Sequence, residues 1–345
     1  MSSNCYGLFL TAPRTLELRE LTLPALERGQ ARVRVAGCGL CHTDIGFYTG
    51  AVRTKRELPL VLGHEISGIV EDVAGGPVEL VGRQALIPAV MPCGVCEVCY
   101  AGRPLACPHQ LMPGNDMSGG FATHLNVPAN RLVPLPDDLG AHTLPALSVI
   151  ADAVTTPYQA IDRASVTSGD LVAVIGVGGI GTYAVQIARA RGARVAAIDI
   201  DEEKLARAGA LGAAWQFNAK ETDGRAIKKT LLAESGVTTA RWRILEMSGT
   251  AAGQELAWTL LPPGGTVGIV GFTMDKVSIR LSNLMAFDAT AFGNWGCAPE
   301  LYPAVVDLVL SGQVQVEPFV EFHDLKSSAA LFANAHGGKR PVLIP

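Results

Sequence analysis

The sequence predicts an α/β protein in which a β-rich domain is combined with a doubly wound parallel sheet. Up to about residue 150, short alternating or β-branched runs are separated by Gly and Pro, without a long amphipathic helix. From about residue 154, apolar runs alternate with helical patterns, which is typical of a parallel sheet. We therefore predict one domain from residues 1–153 and 294–345 and a second from residues 154–293.

The individual elements follow from the same patterns. In the β-rich part we predict four strands: Gln30–Ala36, Ile66–Val73, Gln84–Pro88 and Phe121–Val127. In the second part we predict strand Leu171–Ile175, helix Gly179–Arg191, strand Arg194–Asp199, helix Glu202–Leu211, and strands Arg243–Met247 and Gly265–Gly271. Beyond these lie a predicted helix at Pro299–Ser311 and a tail, Pro341–Ile344, that we expect to return to the first domain.

Composition excludes several classes of function. The chain has 345 residues, of which 48% are hydrophobic, so it can bury a sizeable core. Its net charge of −4 provides no general attraction to nucleic acid or to an anionic membrane. The first ten residues lack the pattern of a signal peptide, and glycines interrupt the most apolar window, 171–188. We expect a cytoplasmic protein with reduced thiols and no membrane span.

Four cysteines in one short segment predict a closed metal site. Cys93, Cys96 and Cys99 are separated by two residues each, and Cys107 follows after seven. Zinc is bound tetrahedrally by four thiolates in such structural sites. Two disulfides are the alternative, but disulfide frameworks belong mostly to small secreted domains. A zinc ribbon for nucleic acid is a second alternative, against which stand the negative charge and the absence of a basic stripe.

A glycine-rich turn predicts a dinucleotide site. The turn follows a five-residue apolar strand and opens a helix, as the phosphate-binding fingerprint requires. Its residues are Gly176, Gly178, Gly179, Ile180 and Gly181. Asp199 ends the next strand, where a carboxylate binds ribose hydroxyls and repels a 2′-phosphate, so we predict NAD rather than NADP. Lys204 lies one helical turn further on, within reach of the same ribose. A glycine turn without a nucleotide is the alternative.

Two further fragments, Cys41–Asp44 and Gly63–Glu65, mean little singly. Together with the cysteines and the glycine-rich turn, they resemble the zinc-dependent medium-chain alcohol dehydrogenases over the full length of the chain. The resemblance implies a GroES-like, zinc-binding catalytic domain and a Rossmann NAD-binding domain. It also implies two zinc ions per subunit, one catalytic and one structural, the latter held by the four cysteines.

The resemblance implies particular residues for the catalytic zinc. Cys41 and His64 occupy the positions of two ligands, and Asp152, six residues before a tyrosine, occupies that of the third. Glu65 is the neighbour that in such enzymes approaches or exchanges onto the metal. Asp44 is expected to orient His64 from behind. A protein of this family that only senses the nucleotide and has lost catalysis is an alternative. Such a protein would lack some of the zinc ligands, but Cys41, His64 and Asp152 are all present.

The same resemblance implies a reaction. An alcohol oxygen takes the open zinc position, Thr43 receives the alcohol proton, and hydride passes to the nicotinamide. One position departs from the family, because many members carry a histidine where this chain has Gly46. Water or another side chain must then export the proton, and His42 is the nearest ionisable candidate.

Five longer segments suggest a substrate. They resemble a branch of the family that oxidises a ring allylic alcohol of a cyclohexene carbonyl-CoA thioester to the conjugated ketone, in anaerobic aromatic degradation. The segments are Met112–Asp116, Ala151–Ala160, Gly271–Val277, Leu281–Phe287 and Gly293–Cys297. An NAD-dependent dehydrogenase or 1,4-enone reductase for another cyclic secondary alcohol or enoyl-CoA is the alternative.

An acyl-CoA substrate requires cations for its phosphates. We expect them in the basic loop of Arg53, Lys55 and Arg56, for which a merely solvated loop is the alternative. Lys276 and Arg280 are further candidates.

Other expectations concern the substrate ring and the oligomeric state. Asn294 and Trp295 are expected to border the nicotinamide and the ring, or Trp295 to pack in an interface. The resemblance also implies a homo-oligomer, a tetramer in preference to a dimer.

Overall fold

The computed structural model describes residues 5–333 and 338–345, which form two compact units. Unit 1 comprises Met1–Thr155 and Gly296–Pro345, and unit 2 comprises Thr156–Trp295. The domain limits given above remain a prediction. Among the described residues, no helix combines the length and the apolar character needed to cross a bilayer.

Strands and helices succeed one another in the following order. The strands are β1 (Tyr6–Ala12), β2 (Thr15–Glu20), β3 (Gln30–Gly39), β4 (Leu60–Val61), β5 (Glu65–Val73), β6 (Gln84–Ile87), β7 (His124–Pro128), β8 (Val133–Pro134), β9 (Leu171–Ile175), β10 (Arg194–Asp199), β11 (Trp215–Asn218), β12 (Trp242–Glu246), β13 (Thr266–Ile269), β14 (Thr290–Gly293), β15 (Val320–Asp324) and β16 (Arg340–Ile344). The α-helices are α1 (His42–Thr49), α2 (Glu97–Tyr100), α3 (Thr155–Arg163), α4 (Gly181–Ala190), α5 (Glu202–Ala210), α6 (Gly224–Glu234), α7 (Ala251–Leu260), α8 (Ser282–Phe287) and α9 (Tyr302–Leu310). Short 3₁₀ helices lie at Val78–Leu80, Pro104–Ala106, Ala129–Arg131, Ala146–Ala151, Thr239–Arg241, Pro299–Leu301, Glu317–Phe319 and Leu325–Ala333.

Unit 1 is built mainly from two sheets. The smaller has the order β2-β1-β4, and the larger has the order β15-β16-β3-β5-β6-β8, with β7 also pairing with β3. β16 lies between β15 and β3, with Val342 opposite Gly39, so the tail returns to the sheet of the first unit. The core between these elements is aliphatic, with Phe121 and Phe332 packed edge to face at 5.5 Å between ring centroids.

The pairing between β3 and β5 determines where the predicted zinc ligands Cys41 and His64 lie in unit 1. The two strands run antiparallel, with Gly39 at the end of β3 opposite Glu65 at the start of β5. Cys41 follows β3 directly, and His64 directly precedes β5. Antiparallel register therefore brings Cys41 and His64 to the same end of the sheet, although they lie far apart in sequence.

Unit 2 is a parallel sheet of order β11-β10-β9-β12-β13-β14. Its central strand β9 is buried at every residue, which is why it consists only of aliphatic side chains. Strand order reverses between β9 and β12, the switch point at which such sheets bind ligands. Helix caps support the connections: Asp201 accepts hydrogen bonds from the first turn of α5, and Thr250 from that of α7. The predicted α/β fold with a β-rich part is confirmed.

Several predicted boundaries shift for identifiable reasons. β7 begins at His124 rather than Phe121, because the main chain at Phe121 and Ala122 pairs instead with β1. The helix predicted from Gly179 begins at Gly181, since the preceding residues form the glycine-rich turn. The helix predicted at Pro299–Ser311 divides into a 3₁₀ turn and α9.

Candidate metal centres and nucleotide site

The four cysteines, here called the cysteine lobe (Cys93–Cys107), converge as the spacing predicts. Their sulfur atoms all lie within 4.8 Å of one another. The distances between Sγ atoms are 3.5 Å for Cys96–Cys99, 3.7 Å for Cys96–Cys107 and 3.5 Å for Cys93–Cys107. Tetrahedral zinc with bonds of about 2.3 Å separates its sulfur ligands by about 3.8 Å, so the lobe fits a zinc ion.

The chemistry of the lobe also fits a metal. All eight cysteines of the chain are free thiols, so the alternative of two disulfides is not realised. Main-chain N–H groups of Cys93 and His109 donate to the Cys107 sulfur, each at 3.4 Å. A hydrogen bond from the main chain at Val95 lowers the pKa of the Cys93 thiol to about 6, whereas desolvation raises the pKa of the Cys99 thiol to about 11. Zinc binds the thiolate form, so a bound cation would favour deprotonation of all four thiols. The lobe presents a closed set of four sulfur donors.

A second cluster, here called the mixed-ligand site, consists of Cys41, His64, Glu65 and Asp152. Each residue offers a donor atom, and these atoms also lie within 4.8 Å of one another. The Cys41 sulfur is 3.9 Å from Asp152 Oδ2, which is 3.5 Å from His64 Nε2. Such separations suit sulfur, nitrogen and oxygen donors around one zinc ion. Among residues 5–333 and 338–345, the lobe and this site are the clusters with such a ligand set.

Asp44 orients the ligands of the mixed-ligand site. Its carboxylate accepts hydrogen bonds from the main-chain N–H of Cys41 at 3.0 Å and of Gly63 at 3.1 Å. It also lies 3.4 Å from His64 Nδ1, on the opposite side of the ring from Asp152. Asp44 therefore faces Nδ1, and Nε2 is directed toward Asp152, where a metal would bind.

Electrostatics at the mixed-ligand site call for a cation. Burial alone lowers the pKa of His64, but the carboxylates of Asp44 and Asp152 raise it, and the result lies well above the ordinary value. Burial raises the pKa of Glu65 to about 7, although the guanidinium of Arg340 opposes this. Three carboxyl groups and a thiol thus converge around one imidazole, while the guanidinium of Arg340 is paired with Glu65. A divalent cation is the partner that stabilises such a donor set.

Arg340 is a member of this site that the sequence did not reveal. Its Nη1 donates to Glu65 Oε1 at 2.7 Å, and both side chains are buried. Glu65 Oε2 is buried without a hydrogen-bond partner, as expected of an oxygen that can turn to a metal. An arginine at the start of an apolar tail was the available signal, since a charge in such a strand needs a buried partner.

The glycine-rich turn has the geometry of a phosphate site. Gly176 has φ of 82°, and a side chain there would contact the main chain of Ser248 at 2.6 Å. At Gly181 a side chain would contact the carbonyl oxygen of Gly176. Around Gly178, by contrast, the nearest atom to an added Cβ is Lys204 Nζ at 4.0 Å. The turn is closed on the protein side and open where a pyrophosphate would approach the start of α4.

Asp199 stands at the end of β10, beside this turn. One carboxylate oxygen accepts the main-chain N–H of Val177 at 2.9 Å, and the other accepts those of Ile200 at 2.8 Å and Asp201 at 3.2 Å. These bonds hold the carboxylate in place and leave further lone pairs for ribose hydroxyls. Lys204 lies nearby, 3.9 Å from Asp201. The residues therefore fit an adenosine ribose without a 2′-phosphate.

The structure places the other predicted residues as follows. Thr43 Oγ1 is 3.9 Å from the Cys41 sulfur, and His42 is exposed. The exposed Lys55 ammonium pairs with Asp116 at 2.8 Å. The amide of Asn294 bonds within unit 2, accepting from Gln159 Nε2 at 3.1 Å and donating to the Thr156 carbonyl at 3.3 Å. Also exposed are Arg53, Arg56, Lys276, Arg280 and Trp295.

Two family models and many known proteins match this chain. The model of the "Alcohol dehydrogenase GroES-like domain" matches residues 27–137, and that of "Zinc-binding dehydrogenase" matches residues 179–311. An alcohol dehydrogenase of Geobacillus stearothermophilus is 32% identical over 329 residues, which cover 94% of each chain. An L-threonine 3-dehydrogenase of Bacillus velezensis is 28% identical over 338 residues, 95% of each chain.

Solved structures agree as well. The alcohol dehydrogenase of the archaeon Aeropyrum pernix matches with a TM-score of 0.88 and 29% identity, over 99% of this chain and 100% of that one. Similarity thus extends through both units at the level of sequence and of fold. The chain belongs to the zinc-dependent medium-chain alcohol dehydrogenases, and it is an oxidoreductase that acts on CH–OH groups with NAD and zinc as cofactors.

Proposed function

We propose that this dehydrogenase oxidises the ring allylic alcohol of 6-hydroxycyclohex-1-ene-1-carbonyl-CoA to the conjugated 6-oxo ketone, a reaction of anaerobic benzoyl-CoA degradation. The class of reaction rests on the mixed-ligand site, where a cysteine, a histidine and an aspartate converge. The choice of substrate rests on the segments that resemble this branch of the family and on the exposed arginines of the basic loop.

Catalysis begins with the three ligands. Cys41, His64 and Asp152 would hold the zinc ion, and Asp44 lies against Nδ1 of His64, which leaves Nε2 on the side of Asp152. Bound zinc supplies Lewis acidity that favours the alkoxide form of an alcohol. Glu65, fixed by Arg340 on one oxygen, supports the site with the other. The protein's contribution is to position these donors and to keep their charges out of bulk water.

Removal of the alcohol proton falls to Thr43. Its hydroxyl lies beside the Cys41 sulfur, and a hydroxyl both accepts and donates a proton. Gly46 cannot continue the relay, since it has no side chain. His42 is exposed at the start of the same helix and exchanges protons with water. The proton therefore leaves from Thr43 to water or to His42.

Nucleotide binding falls to unit 2. The turn Gly176–Gly181 receives the pyrophosphate, and Asp199 accepts hydrogen bonds from the adenosine ribose. Bound NAD⁺ supplies the acceptor for the hydride. Because Asp199 is already fixed by three main-chain N–H groups, its negative charge stays where a 2′-phosphate would lie, which disfavours NADP.

The basic loop (Arg53–Arg56) supplies the proposed contacts for CoA phosphates. Its main chain is fixed to the turn at Met112–Asp116: the N–H of Lys55 donates to Asn115 Oδ1 at 2.9 Å, and that of Arg56 to the Asn115 carbonyl at 2.9 Å. Lys55 adds the ion pair with Asp116. A loop held in this way presents the exposed guanidinium groups of Arg53 and Arg56 at fixed points, which favours phosphate binding.

Steady-state kinetics test the substrate. We expect NAD⁺-dependent oxidation of the hydroxycyclohexene carbonyl-CoA to exceed that of free cyclohexenol by at least about tenfold in kcat/KM, which corresponds to about 1.4 kcal/mol. The double variant Arg53→Ala, Arg56→Ala should raise KM for the thioester and leave cyclohexenol oxidation unchanged. Equal efficiency on both alcohols would favour the alternative, a dehydrogenase or enone reductase for another cyclic substrate.

We also propose that the chain forms a homo-oligomer, a tetramer in preference to a dimer. Support comes from exposed apolar side chains in the segment that connects β13 with β14, the strand at the edge of the sheet in the described chain. These side chains are Phe272, Met274, Leu281 and Met285. Grouped apolar exposure of this kind marks interaction surfaces. Light scattering of the wild type and of Met285→Glu tests the proposal, and a wild-type monomer would refute it.

A further inference from the structure

The hydroxyl of Tyr302, on α9, occupies a buried position next to a metal ligand. The side chain is 0% exposed. Its hydroxyl donates to the main-chain carbonyl of Ala151 at 2.5 Å and accepts from the main-chain N–H of Ala89 at 3.3 Å. The same N–H also reaches the Ala151 carbonyl at 3.3 Å. Three groups from three distant segments of unit 1 thus form a closed hydrogen-bonded triangle.

This triangle acts on Asp152 through the backbone. The carbonyl of Ala151 and the N–H of Asp152 belong to one planar peptide group. Two hydrogen bonds to the carbonyl oxygen therefore fix the orientation of this peptide plane, and with it the position of the Asp152 backbone nitrogen. Asp152 itself has φ −144° and ψ −56°, neither helical nor extended, just after the 3₁₀ helix Ala146–Ala151. A regular hydrogen-bond ladder does not set its position, so the anchored Ala151 carbonyl helps to fix it.

A phenol suits this place better than any apolar side chain. It provides one donor and one acceptor, and the triangle uses both. Ala89 and Ala151 are as buried as Tyr302, so the partners of the hydroxyl lie out of contact with solvent. Burial also raises the pKa of Tyr302 well above its ordinary value, which keeps the hydroxyl protonated as a donor. Removing the oxygen would leave the Ala151 carbonyl with the longer bond from Ala89.

We propose that Tyr302 is a positioning residue for the catalytic zinc: its hydroxyl anchors the Ala151–Asp152 peptide and thereby holds the Asp152 carboxylate at the metal. The inference rests on the proposed role of Cys41, His64 and Asp152 as ligands. It assigns to Tyr302 of α9 an effect on metal affinity that is transmitted through the Ala151–Asp152 peptide.

Metal release tests the proposal, with Tyr302→Phe as the variant and Tyr48→Phe as the matched control. Tyr48 is another buried tyrosine of unit 1, packed against the ring of Phe332. Each protein, loaded with zinc, is mixed with a chromogenic chelator, and the two phases of zinc release are followed. Loss of a group that orients a ligand typically lowers metal affinity about 10- to 100-fold. We expect Tyr302→Phe to accelerate release from the mixed-ligand site by about tenfold, with the cysteine lobe unchanged.

Cobalt substitution provides a signature that a general loss of stability would not produce. With Co²⁺ in the mixed-ligand site, Tyr302→Phe should shift the visible absorption bands, and Tyr48→Phe should not. If both phenylalanine variants release zinc at the wild-type rate and keep the wild-type spectrum, the proposal is wrong. It is equally wrong if Tyr302→Phe loses zinc from both centres in parallel with a lower melting temperature.

Hydrogen exchange of the wild type keeps the proposal testable should Tyr302→Phe fail to fold. Coupling is reciprocal, so metal at Asp152 must in turn stabilise the triangle. The amide of Ala89 should therefore exchange more slowly in the zinc-loaded protein than after removal of the catalytic zinc, and equal rates would refute the idea. The ligand assignment is examined separately, by zinc content: an Asp152→Ala protein that still holds two tightly bound zinc ions would refute the ligand set.

Discussion

The cysteine lobe and the mixed-ligand site have similar dimensions but opposite construction. In the lobe, four sulfur donors come from one short segment, partly exposed, and the main chain supplies the surrounding hydrogen bonds. In the mixed-ligand site, the donors come from three segments, lie mostly buried, and differ in chemical type. Four thiolates would saturate a zinc ion in the lobe, whereas the three proposed ligands of the mixed-ligand site would leave one position for substrate. The lobe is therefore suited to stability and the mixed-ligand site to catalysis.

The largest expected effect follows from removing a ligand of the mixed-ligand site. Cys41→Ala should lower kcat by about a thousandfold or more, equivalent to about 4 kcal/mol, because the zinc and its Lewis acidity are lost. Zinc content should fall from two ions per chain to one. Turnover, metal analysis and NADH titration by fluorescence measure these changes.

NADH binding is the control for this variant. The nucleotide residues of unit 2 are separate from Cys41, so the NADH Kd should stay within about threefold of the wild type. If Cys41→Ala lost nucleotide affinity and secondary structure together, the assignment of the mixed-ligand site to catalysis and of the lobe to stability would be wrong.

Removing a ligand of the lobe should affect stability instead. Cys99→Ala should lower the apparent Tm by roughly 5–10 °C, or about 2–3 kcal/mol at the conversion typical of domains of this size. The folded fraction should keep kcat within about threefold of the wild type, since the mixed-ligand site is intact. Calorimetry and active-site titration provide the comparison. A loss of kcat as large as that of Cys41→Ala, at unchanged Tm, would contradict it.

A smaller effect on the catalytic zinc is expected when Asp44, which contacts the ligands but is not a ligand itself, is replaced. Asp44→Asn keeps the shape of the side chain but turns one acceptor oxygen into an amide that cannot serve both N–H groups of Cys41 and Gly63. Affinity for the catalytic zinc should fall about 10- to 100-fold. Competition with a chelator measures it. Asp72→Asn, which also removes a carboxylate from a main-chain N–H, is the control and should leave this affinity unchanged.

The same contrast explains how much could be predicted from the sequence. Cys93, Cys96, Cys99 and Cys107 form a local pattern, and the turn Gly176–Gly181 lies between a strand and a helix that are predicted together. Both interpretations needed only residues near one another in the chain. Fold class and the strands Leu171–Ile175 and Arg194–Asp199 were predicted for the same reason, because periodicity within a strand is local.

Contacts between residues that only the sheet register brings together were harder to predict from the sequence. Asp152 as a ligand came from family resemblance rather than from any local pattern. Arg340 was missed, because its partner Glu65 lies 275 positions away and only the pairing of β16, β3 and β5 joins them. No spacing rule connects residues across strands, so contacts of this kind require the fold.

The position of β16 has a consequence for synthesis. Unit 2 is one continuous stretch, 156–295, whereas unit 1 needs segments from both sides of it. A chain that emerges from its N-terminal end contains every strand of unit 2 before β16 exists. The cysteine lobe can then take up its metal early, but Glu65 meets Arg340 only after the final strand has joined β3. We expect the catalytic zinc to be acquired last, so that a nascent chain becomes an enzyme only after β16 has been synthesised and has paired with β3.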